Sequence, residues 1–183
     1  SATRVSAGIL RDVLDSLADP NSAIKLSAAY RAWRTQADPE GADQQAINQA
    51  ALWLQKLAKV EDFLYPTVER DWLNQAGALL EPPVRESLLE FRELLQRWQA
   101  AALLPVDQLI LTLAQDIFSE PVDLALSHKL AGMLRQSAQA HPNWRIADFN
   151  QELREIAANQ RRFLGFSDED TGFDPGKHKG KVV

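Results

Sequence analysis

The chain has 183 residues, no cysteine, a net charge of −5 and 45% hydrophobic residues. That length suits one domain or two small sub-bundles, and the apolar fraction is enough for a core. The missing cysteine excludes a disulfide framework or a thiolate metal site, and the acidic balance argues against broad, non-specific affinity for nucleic acid. No apolar run reaches the length of a membrane span and no stretch has the form of a signal peptide, so a cytoplasmic protein is expected.

Helical periodicity dominates the chain. Leu10, Val13, Leu14 and Leu17 form a first stripe that stops at Asp19-Pro20. Asn21 or Ser22 is placed to cap a second helix, with Leu26, Ala29, Tyr30 and Trp33 on one face. A polar loop around Asp38 to Gly41 leads to a third stripe of Ile47, Ala50, Ala51, Leu54 and Leu57, with Asp43 near its positive end. Asp62 to Pro66 reads as irregular, and a shorter helix is expected to carry Val68, Trp72 and Leu79. Pro82-Pro83 is the clearest internal break.

Beyond it, Val84, Leu88, Phe91, Leu95, Trp98 and Ala102 make the strongest amphipathic helix. Pro105 suits the first turn of the next one. That helix is apolar nearly all round through Val106, Leu109, Ile110, Leu113 and Ile117, which predicts the central buried element. Pro121 opens a helix through Leu126, Leu130, Met133 and Leu134 to His141-Pro142. The last one carries Ile146, Phe149, Leu153, Ile156 and Leu164 and ends near Gly165. The reading is all-α: seven to eight helices over 1–166, with a sub-boundary near 82, then a non-helical polar tail over 167–183.

Chemistry is sparse. No Walker-type phosphate loop occurs. His128, His141 and His178 lack paired ligand spacing, so no metal site is expected. Ser127-His128 has no nucleophile elbow around it. Glu152 and Glu155 could work as an acid–base pair, but the solvated face of a helix is the better reading. Asp168-Glu169-Asp170 lacks the ligand alternation of a calcium loop. Trp33 and Trp98 fall on apolar stripes and are assigned to the core. What stands out is positive charge late in the chain: Arg161, Arg162, Lys177, Lys179 and Lys181 are the candidate phosphate contacts.

The segment Gly8 to Pro20, with its Leu17-Ala18-Asp19-Pro20 turn, resembles the entry into the 2B subdomain of UvrD/PcrA-like superfamily 1 DNA helicases. A long helix over Glu86 to Ala102, the segment Leu104 to Ala114, a leucine-containing helix and Ile146 to Leu153 then follow in the family's order. RecB-like and cyanobacterial-type members are the most similar. The resemblance implies an accessory, regulatory subdomain that helps position duplex DNA and gates the motor, with DNA and the flanking motor domains as partners, regulatory proteins as further partners, and no membrane. ATP and Mg²⁺ are then expected in the motor domains, and no cofactor or catalytic residue in this segment. Ser1, the single Met133 and the strand-like Lys181-Val182-Val183 read as cut points in a longer protein, with 167–183 returning to the motor. The family's duplex contact uses a Gly-hydrophobic-Gly turn that this sequence lacks, since Gly77 stands alone. The alternative is therefore a helical protein-interaction scaffold with no direct nucleic-acid contact.

Overall fold

A computed structural model of the chain describes residues 2–76 and 79–159. Among the described residues there is no strand, and the fold is all-α. The described residues form seven long helices, α1 (Ala2–Ala18), α2 (Ala23–Ala37), α3 (Gln44–Gln55), α6 (Pro82–Ala101), α7 (Val106–Ile117), α8 (Pro121–Ala140) and α9 (Ile146–Ala158), and two five-residue ones, α4 (Val60–Leu64) and α5 (Trp72–Ala76). Leu164, Gly165 and the polar tail lie outside the described residues.

Helix boundaries follow local chemistry. Ser22 caps α2 by accepting the Lys25 N–H at 3.2 Å, satisfying a donor that a helix start leaves open. Pro82 and Pro121 stand in the first turns of α6 and α8, where a missing N–H costs nothing. Pro105, expected inside α7, is its N-cap instead. Asp148 accepts the Arg145 N–H at 2.8 Å and fixes the start of α9.

The predicted stripes point inward. Leu10, Val13 and Leu14 of α1, Leu26 and Tyr30 of α2, Ile47 and Leu54 of α3, and Leu88, Phe91 and Trp98 of α6 are buried in one hydrophobic core that runs from Ala7 to Ala157 and continues across Pro82. Phe91 is its aromatic centre. Its ring lies 5.3 Å from Tyr30, 5.8 Å from Trp33, 6.4 Å from Phe63 and 6.5 Å from Trp98. The polar tips of two buried aromatic side chains are matched: Trp98 Nε1 donates to Asp116 at 2.7 Å, and the Tyr30 hydroxyl shares a hydrogen bond with Ser87 at 2.8 Å.

Three expectations need correction. The central element is α1 rather than α7. No residue between Ser6 and Leu17 is exposed, because α2, α7, α8 and α9 all pack around it, whereas Gln108 and Gln115 leave α7 open to solvent on one side. Asp62 to Leu64 is helical, not irregular, because Val60, Phe63 and Leu64 turn together into the core. Arg92 Nε and Gln96 Nε2 from α6 donate to the carbonyls of Phe63 and Leu64 at that helix's end, each at 2.6 Å. Val68 and Leu79 do not join Trp72 in a helix. A Thr67–Arg70 turn leaves Val68 fully exposed, Asp71 accepts the Asn74 N–H, and Leu73 and Ala76 face inward.

Helices α1 and α9 run antiparallel. Asn150 Nδ2 donates to Asp15 at 2.5 Å, while Leu17 and Ala18 share a cleft with Ile146 and Ala147. Matched helical rise then brings Ser6 level with Asn159.

Phe91→Ala should lower stability by about 3–5 kcal/mol, the usual cost of truncating a fully buried ring. Urea unfolding followed by tryptophan fluorescence measures it, and a loss under about 1 kcal/mol would contradict the central place of this ring.

Candidate interaction site

Two concave regions emerge from this packing. The first is a groove of about 540 Å³ between α8 and α9. The two helices are joined by a turn in which Trp144 N–H donates to the His141 carbonyl at 3.0 Å, yet each packs mainly on α1 or α7. The space left between them is walled by Met133, Trp144 and Ile156 and edged by Glu152, Glu155 and Asn159. His141 stacks on Trp144 at 4.3 Å with the rings 4° from parallel, and Phe149 meets Trp144 edge-on at 5.4 Å. That aromatic stack closes one end. Ser137 Oγ donates to Glu152 at 3.3 Å across the groove, and Gln151 Nε2 donates to Glu155 at 3.4 Å.

The second region is apolar and lies where α1, α6 and α9 converge. Two adjoining clefts of about 410 and 390 Å³ share Leu17 and Ala102. Leu104 and Tyr65 line it, each with a large exposed fraction, and Leu103 beside it is 90% exposed. Its few polar groups are Arg145, Asn21, Glu61 and Gln99 at the rims.

Among the described residues no group of three or more His, Asp or Glu side chains is placed to hold a metal ion. No described helix is long and apolar enough to cross a membrane. Ser127 is buried and its hydroxyl donates to the Asp123 carbonyl at 2.8 Å, while His128 beside it is exposed, so the two do not form a nucleophile pair. Trp33 and Trp98 are core residues, as their stripes predict. The candidate phosphate contacts Arg161, Arg162, Lys177, Lys179 and Lys181 lie outside the described residues, as do His178 and the acidic triplet.

The solvated face expected of Glu152 and Glu155 holds for the second and only in part for the first. Glu155 is exposed, but Glu152 is half-buried and both edge the same groove. One helix seen alone cannot show this, because the opposite wall comes from α8. The spacing of Met133, Gln136, Ser137 and Ala140 along α8 was the available signal.

Charge is unevenly spread. Five of the 20 Lys and Arg and four of the 25 Asp and Glu follow Asn159, so the chain up to that point carries −6 and the remainder +1. On α1, burial above all pushes the Asp12 carboxyl above its ordinary value of 3.8. Arg11 pulls it back and Asp15 pushes it further up. No protein-family model, curated protein or solved structure matches this chain.

The folded protein thus holds the Asp12 proton more tightly than the unfolded chain does, so the ionised carboxylate costs stability at neutral pH. That cost fades as pH falls through the raised value toward 3.8. Asp12→Asn should raise the thermal midpoint at pH 7, with a gain that shrinks to nothing below 3.8. A variant whose gain grew on acidification would show the opposite sign.

Proposed function

We propose that this chain is a non-catalytic accessory module of the 2B type within a UvrD/PcrA-like superfamily 1 DNA helicase. In that role it helps position duplex DNA and gates the motor by moving as a rigid body on its two connections. The antiparallel pairing of α1 with α9 carries this reading. With Ser6 level with Asn159, the outer ends of the first and last described helices lie side by side at one end of the bundle, as suits an insertion that departs from a host domain and returns to it. A core continuous from Ala7 to Ala157 suits a body that moves as one piece. The helix order supports the same reading: α1 ends at Ala18 before Asp19-Pro20, and α6, α7, α8 and α9 follow in the order the resemblance requires. ATP and Mg²⁺ chemistry then belongs to motor domains outside these residues.

Electrostatics limits how such a module would touch DNA. A body of −6 repels a phosphate backbone, so contact would fall to Arg161, Arg162, Lys177, Lys179 and Lys181. The acidic body and the apolar clefts at Leu17 and Ala102 favour a second reading, a protein-interaction scaffold with no nucleic-acid contact.

Two measurements separate these readings. Titrated with forked DNA, the chain should bind in a salt-dependent way. Three to five phosphate contacts correspond to a loss of tens to hundreds of fold between about 50 and 200 mM salt. Glutamate at Arg161, Arg162, Lys177 and Lys179 should abolish it. An absence of salt-dependent binding would favour the scaffold. A protein comprising this chain and its flanking sequence should hydrolyse ATP when single-stranded DNA is added, and failure to do so rejects the helicase reading.

A further inference from the structure

The α8–α9 groove combines an apolar wall with two carboxylates and has no lysine or arginine among its described lining residues. Such a surface suits a ligand bearing cationic and large apolar groups close together, the cations pairing with the carboxylates and the apolar groups covering the wall. The chain itself supplies that chemistry at the groove's edge. Asn159 lines the groove, and the sequence continues Gln160-Arg161-Arg162-Phe163-Leu164-Gly165-Phe166: two guanidiniums followed by three large apolar side chains.

We propose that the segment Arg161–Phe166 docks in the α8–α9 groove of its own chain, its guanidiniums meeting Glu152 and Glu155 and its apolar side chains covering Trp144 and Ile156. Reach permits this. Arg161 is two residues past Asn159, within about 7 Å of the rim, and the seven residues to Phe166 extend to about 25 Å. The 13 residues of α9 measure about 20 Å, so the segment can double back along the whole groove. Arginine fits this role better than lysine, because its planar fork meets a carboxylate with two hydrogen bonds. Covalent attachment supplies the high effective concentration that a pair of rim ion pairs needs. If the chain also contacts DNA as proposed above, phosphates and these carboxylates compete for the same two guanidiniums. The docking itself does not depend on that reading.

The test uses the full chain, whose lack of cysteine makes an introduced Ser167→Cys a unique attachment point for a nitroxide spin label. The label should broaden the Trp144 indole resonance strongly and that of Trp53 on α3 far less. Glu152→Arg with Glu155→Arg should remove the difference, and adding Arg161→Glu with Arg162→Glu should restore it. A thermal midpoint for each variant verifies that the bundle is intact. Equal broadening of the two indoles, or a charge swap that restores nothing, overturns the proposal. Broadening that appears only when labelled chain is mixed with unlabelled chain overturns it too, since the segment would then dock on a second copy.

Discussion

The fold turns on surrounding a helix that is only half apolar. α1 has a clean hydrophobic stripe, but Ser6, Arg11, Asp12, Asp15 and Ser16 lie on its other sides, and none of them is exposed. Burying polar groups is tolerable only where partners replace water. For Ser6 and Asp15 the neighbours supply them: Asp123 of α8 accepts from Ser6 at 3.0 Å, and Asn150 of α9 donates to Asp15. Both α8 and α9 are thereby pinned in register to α1, with Ser137–Glu152 as a further tie between them.

The grooves follow from that arrangement. A helix pair whose partners lie beneath it need not interdigitate across its outer surface, and α8 and α9 leave a channel there. The aromatic centre at Phe91 does the corresponding work on the other side, tying α2, α4 and α6 together through Tyr30, Trp33, Phe63 and Trp98. The module has one interior, and its concave features are what the packing around that interior leaves over.

The fold class and most inward faces were legible because long amphipathic helices repeat their signal over several turns, as Leu10 to Leu17 and Val84 to Trp98 do. Short elements carry no such redundancy. Val60–Leu64 has one turn and a half, and its existence depends on donors from α6 that lie far along the sequence. The misplaced centre has a similar cause. α7 has the more apolar sequence, but burial is decided by how many helices surround an element, which periodicity does not report. Of the candidate site, Glu152 and Glu155 were visible as residues, and the groove was not, because half of it belongs to another helix.

Arg92 and Gln96 have a wider meaning than capping. They reach back 29 and 32 positions to hold the carbonyls of Phe63 and Leu64, and Arg92 also pairs with Asp71 at 3.0 Å, where α5 begins. Helices of five residues cannot sustain themselves, so the helicity of this stretch is lent by α6. Sequence drift between Lys56 and Leu80 is therefore bounded less by the stretch's own helix propensity than by two side chains elsewhere. As long as those two donors, their partner Asp71 and the few inward apolar residues persist, most other positions of the stretch can change.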